Sequence, residues 1–103
     1  MIIYTVTVII KKDVESDWLL WMKEIHIPHV MNTGYFFDWQ IQKLILPEDA
    51  HDEITYIINY HAQSFEKYQQ YVEKGALRLR NEHNEKFGGK FKATRAVYSL
   101  ISK

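Results

Sequence analysis

Ile2-Ile3-Tyr4-Thr5-Val6-Thr7-Val8-Ile9-Ile10 is a run dominated by β-branched residues, closed by Lys11-Lys12-Asp13. β-Branched side chains are stiff at χ1 and favour extended backbone, so 2–10 reads as a strand. Tyr4, Val6, Val8 and Ile10 share one face, while Ile3, Thr5, Thr7 and Ile9 share the other. Both faces are largely apolar. A strand of this kind is expected inside a sheet, covered on both sides.

The rest of the chain supplies the neighbours and the cover. Residues 14–27 read as a helix: Asp13 is a candidate cap, and Glu15 and Asp17 suit the positive end of the helix dipole. Val14, Trp18, Trp21, Met22 and Ile25 recur at helical spacing. Pro28 disfavours helical backbone at Ile27 and predicts an end or kink there. His29 to Thr33 forms a further turn, closed by Gly34 in the left-handed region. Residues 35–46 read as a strand with Tyr35, Phe37, Trp39, Ile41 and Ile45 on one face, and 53–62 as the antiparallel return. Ser64 caps a second helical region whose stripe is Phe65, Tyr68, Val72, Leu79, His83 and Phe87, with a break near 74–76 at Gly75. Gly88-Gly89 stops it, and 91–101 is a last strand.

The order β-α-β-β-α-β over a single domain, 1–103, is the α+β ferredoxin-like pattern: a four-stranded antiparallel sheet with both helices on one face. The other face is too apolar to be left to water. It predicts a homodimer with sheets packed face to face, a dimeric α/β-barrel.

Composition excludes several functions. Thirteen Lys plus Arg balance thirteen Asp plus Glu, so no basic excess exists to neutralise a phosphate backbone, and no nucleic-acid partner is expected. With no cysteine, disulfides, thiolate metal sites and cysteine nucleophiles are out. No run approaches the ~20 apolar residues of a membrane span, and the apolar start lacks the basic flank and cleavage site of a signal peptide. The expectation is a cytoplasmic protein with no membrane partner.

Two stretches carry a family likeness. Trp18-Leu-Leu-Trp21-Met22-Lys-Glu-Ile-His26-Ile27-Pro28-His-Val30-Met-Asn-Thr33-Gly34-Tyr-Phe36 resembles the signature of the DUF4286 family of small bacterial proteins. Leu79-Arg80-Asn-Glu82-His83-Asn-Glu-Lys-Phe87-Gly88 resembles that family's second helix. The resemblance implies a dimeric α/β-barrel and no particular activity. The wider superfamily holds cofactor-independent monooxygenases, small isomerases, haem-handling enzymes and binding modules without catalysis.

Among residues able to do chemistry, His26 and His83 stand out as a catalytic pair. Imidazole exchanges protons near neutrality, and two helices side by side on one sheet can aim both rings into one cavity. Glu82 and Arg80 are candidate partners for His26. A helix-end histidine bonded to the backbone is the competing reading of His26, and a buried, satisfied histidine that of His83. His26 and His29 also have metal-ligand spacing, but no third ligand lies at a diagnostic distance, so no metal is expected. Trp18, Met22, Tyr4 and Tyr60, with Arg80 and Glu82, are candidate ligand-binding residues for a small aromatic or quinone-like molecule; most aromatics are otherwise core. Arg95 falls on the apolar face of the last strand. It is expected to pair with Asp38 or Glu53 across the dimer, or to hold an anion. The sequence thus points to a small dimeric binding or accessory module that needs no cofactor. One alternative is a monooxygenase- or isomerase-like enzyme using His26 and His83; another is a haem- or metal-binding protein.

Overall fold

The computed structural model describes residues 1–103. Four strands, β1 (Ile2–Lys11), β2 (Asp38–Lys43), β3 (Glu53–Ala62) and β4 (Phe91–Ser99), form one antiparallel sheet in the order β2-β3-β1-β4. The two-sided strand is interior: β1 pairs with β3 and β4 along its length. The register sets three rows across the inner face: Trp39-Tyr60-Tyr4-Val97, Ile41-Ile58-Val6-Arg95 and Lys43-Tyr56-Val8-Ala93. Two helical stretches pack on these rows: α1 (15–31) and α2 (65–87). Trp18, Ile27, Ile58 and Ile10 are sealed between the layers.

Four local expectations are corrected. Asp13 caps nothing; it lies in a 3-10 turn, Lys12–Val14, and pairs with Lys90 at 3.0 Å. Pro28 does not end α1, which continues to Met31 after a π turn at Met22–His26. The wider turn relieves the clash of the proline ring with the carbonyl four residues back, and Pro28 falls early in the next helical segment, where its missing N–H costs least. Gly75 does not break α2; a π turn at Val72–Ala76 carries the helix through. There a Cβ would meet Thr33 Cγ2 at 3.4 Å, an ordinary van der Waals contact at the end of α1. Finally, β2 begins at Asp38 rather than Tyr35. Phe36, not Phe37, is the buried ring, packed on Tyr4, Tyr60 and Tyr71. Ser64 does cap α2, accepting the Lys67 N–H, and Gly34 has the positive φ expected of it.

The outer sheet face carries no helix. Ile3, Ile9 and Ile57 are half-buried there beside Thr5, which donates to Asn59 Oδ1 at 2.7 Å. His61 is also on this face, and its Nε2 is buried without a partner.

Candidate functional site

Between the helices and the inner rows lies a narrow, partly open cavity with about 430 Å³ of atom-free space, adjoining solvent included. Val6, Val8, Val30, Ile58 and Leu79 contribute apolar wall, and Tyr4, Tyr60, Tyr71, His26, His83, Arg80 and Arg95 bring polar groups to it. No aspartate or glutamate lines it.

His26 comes from the π turn of α1 and stacks on Trp21, with ring centroids 5.0 Å apart. Its Nδ1 meets Glu82 Oε1 at 3.3 Å, and His29 Nδ1 reaches Glu82 Oε2 at 2.9 Å from the outer rim. Neither ring nitrogen of His26 bonds to the backbone. An ionised carboxylate can only accept, so a neutral His26 carries its proton on Nδ1 and a lone pair on Nε2. Burial pushes the His26 pKa below the usual histidine range, against the pull of Glu82. Burial also raises the Glu82 carboxyl, but the bonds from His29 and His26 outweigh it and hold Glu82 below its ordinary value.

His83 has the opposite arrangement. The Trp18 indole Nε1–H donates to His83 Nε2 at 2.8 Å. That nitrogen must hold the lone pair, so the proton sits on Nδ1, which has no protein partner. Burial, then the nearby charges of His26 and Arg95, push the His83 pKa down to about 4. The two imidazoles lie 5.6 Å apart, centroid to centroid.

Of the residues singled out in the sequence, Tyr4, Met22, His26, Tyr60, Arg80 and His83 line the cavity together. Trp18 and Glu82 stand behind it, each bonded to one of the two histidines. Arg95 enters no ion pair within the chain and turns to the cavity mouth. Tyr71 and Trp21 were not singled out for the site; the first closes the Tyr4-Phe36-Tyr60 stack and the second covers His26. Their signal, aromatic residues at helical spacing, is the same as that of ordinary core. His26, His29 and Glu82 meet, yet no group of three such side chains has the geometry to hold a metal ion. No helix is long and apolar enough to cross a membrane.

The model of the DUF4286 domain, a domain of unknown function, matches residues 1–101. The chain belongs to the DUF4286 family. No curated protein matches this DUF4286 chain in sequence. Among solved structures it is similar to a dimeric ferredoxin-like protein from an uncultured marine organism, at 13% identity and TM-score 0.69, covering 100% of this chain and 97% of that one. It is similar to a variant of SnoaB, a cofactor-independent oxygenase from Streptomyces nogalater, at 5% identity and TM-score 0.62, covering 99% and 95%. A third is a variant of MhuD with two manganese protoporphyrin IX bound per active site, at 12% identity and TM-score 0.63, covering 98% and 96%. At these identities the likeness shows the fold, which is α+β and ferredoxin-like, and leaves activity to the side chains.

Proposed function

We propose that this DUF4286 chain binds a small, flat, weakly acidic organic molecule in the inner cavity and takes a proton from it at His26 Nε2. The observation that carries this reading is the Glu82–His26 contact, which commits Nδ1 to donation and leaves Nε2 as the base. Burial keeps the resting imidazole neutral, and Glu82 stabilises the imidazolium once it forms. In the step, the ligand's C–H or O–H bond breaks, the proton moves to Nε2, and the electron pair stays on the ligand as an enolate or phenolate. His83, kept neutral by its burial and by Trp18, serves as an Nδ1–H donor to the developing oxyanion rather than as a second proton carrier. Return of the proton at another atom would complete an isomerisation. The neighbour described as a cofactor-independent oxygenase supports chemistry run by side chains on this backbone. We further infer a homodimer through the outer sheet faces, supported by the half-buried isoleucines there, the orphaned His61 Nε2, and the dimeric neighbour.

The test is deuterium exchange from solvent into a panel of small 1,3-dicarbonyls and phenols, followed by proton NMR. The wild-type chain should accelerate exchange for at least one compound. His26→Gln should abolish the acceleration, and Glu82→Gln should slow it by roughly 10²-fold and move its pH profile to lower pH, since His26 loses the partner that raises its pKa. Binding with no exchange across the panel would refute proton transfer and leave a binding module.

A further inference from the structure

We infer that the ligand is an organic carboxylate, with its anionic end seated between Arg80 and Arg95. This rests on the inner cavity being a ligand site, and not on His26 taking a proton. The two arginines reach the cavity from unrelated elements. Arg80 descends from α2, and Arg95 rises from β4 opposite Val6 on the inner row. Every ion pair in the chain involves a lysine or a histidine; neither of these guanidinium groups has a carboxylate. The Arg80 Nε–H is buried with no acceptor at all. A buried donor left unpaired costs about 1–3 kcal/mol, more when it belongs to a charged group, so it marks a place where an acceptor is missing. The lining offers no carboxylate, because the nearest acidic residue on α2, Glu82, is turned to His26 and His29; its neutral acceptors are the hydroxyls of Tyr4, Tyr60 and Tyr71 and the free nitrogen of His26. Arginine also packs through its aliphatic stem, which is the competing explanation for Arg80. It does not explain Arg95, an exposed residue on an otherwise apolar row.

The ligand chemistry follows from the donors. Guanidinium forks match planar carboxylates. The space is walled mainly by aliphatic and phenolic groups, which suits a ring or short chain beyond the carboxylate. Pairing of the carboxylate with the arginines also orients the rest of the molecule within the cavity. Tyr71, beside both cations, has a pKa that burial raises and Arg80 and Arg95 pull back, which agrees with their charges being felt inside the cavity.

Benzoate and benzamide are matched probes for this inference, differing in charge but hardly in shape. In protein carrying isotope-labelled arginine, the Arg80 Nε–H resonance is assigned by its loss in Arg80→Lys. Benzoate should shift that resonance downfield and bind at least about tenfold more tightly than benzamide. Arg80→Gln and Arg95→Gln should each erase most of the preference, and Arg80→Lys should keep part of it. Equal binding of the two probes, a preference that survives both glutamine variants, or no benzoate binding and no shift at millimolar concentration would each overturn the inference. The benzoate preference is read without any proton transfer, so a failure of the proton-transfer reading, seen in solvent deuterium exchange, is distinguished from a failure of this one.

Discussion

Trp18→Phe tests the internal logic of the site, because it removes one proton donor and little else. Trp18 is fully buried, and its Nε1–H is the partner of His83 Nε2. Without it, a buried acceptor is unpaired at a cost of about 1–3 kcal/mol, and the smaller ring leaves a void costing about 1 kcal/mol more. The sum, about 2–4 kcal/mol, lowers the midpoint of thermal unfolding by roughly 10–25 °C in a domain of this size. The loss should also depend on pH. His83 titrates at about 4 in the folded chain against an ordinary 6.5. Across that window the unfolded chain holds a proton that the folded chain lacks, so stability is full above 6.5 and declines as pH falls towards 4, by roughly 3 kcal/mol in all. In Trp18→Phe the freed Nε2 accepts a proton without breaking a bond, so the folded pKa rises and the acid loss shrinks. Urea unfolding followed by the fluorescence of Trp21 and Trp39 should therefore show a larger difference between variant and wild type near neutrality than at about pH 4.5, by about 1 kcal/mol. An equal difference at both pH values, with the His83 NMR titration unmoved, would show that burial and the neighbouring charges set this pKa and that the indole bond has no part in keeping His83 neutral.

Two further outcomes follow from the packing. Ile57 sits at the centre of the outer face, opposite Thr7 and Gln42, so Ile57→Glu should convert a dimer into a folded monomer; sedimentation at micromolar concentration reads this, and a monomeric wild type would refute sheet-to-sheet assembly. At Gly75 an added methyl meets Thr33 at an ordinary contact distance, so Gly75→Ala should be neutral or gain up to ~1 kcal/mol in helix propensity, whereas Gly75→Val should lose about 1–3 kcal/mol in thermal unfolding.

The fold was legible because hydrophobic period and turn chemistry agree along most of the chain. The two-sided run at 2–10, the Ser64 cap and the glycine stops each have one good structural solution. At residues 35–37 the pattern misleads, because Tyr35, Phe36 and Phe37 are all aromatic and alternation cannot say which ring turns inward. The pairing of Phe37 N–H with the His61 carbonyl settles it, and that contact spans the hairpin. In the site, His26, His83, Glu82 and Arg80 were visible as residue types on two neighbouring helices. Their unequal roles were not, since nothing in the linear sequence says that Trp18 meets His83 while Glu82 meets His26. The inward set of α1 was misplaced too: Ile25 was expected inside, but it is 42% exposed and His26, Ile27 and Val30 are buried.

That displacement has a single cause in both helices. Successive residues of an α-helix turn by about 100°, so an uninterrupted α1 that buries Trp18 and Met22 would also bury Ile25 and His29. The π turn at Met22–His26 inserts one residue, and the positions of Ile25 and His29 pass to His26 and Val30. The π turn at Val72–Ala76 does the same for α2, aligning Tyr68 with Ala76, Leu79, Arg80, His83 and Phe87, while Val72 is left 45% exposed. Without that insertion, Arg80 would point away from the sheet. If this is the role of the second π turn, deleting the exposed Lys74 converts it to plain α-helix and keeps every later side chain on its observed face. The variant should fold, with a loss of no more than about 1–2 kcal/mol. Deleting Asn81, also exposed, must misphase either Leu79 and Arg80 or His83 and Phe87, and should cost several times more or prevent folding. Equal losses from the two deletions, measured by urea unfolding, would mean that the π turn is incidental and that Arg80 and His83 reach the cavity for another reason.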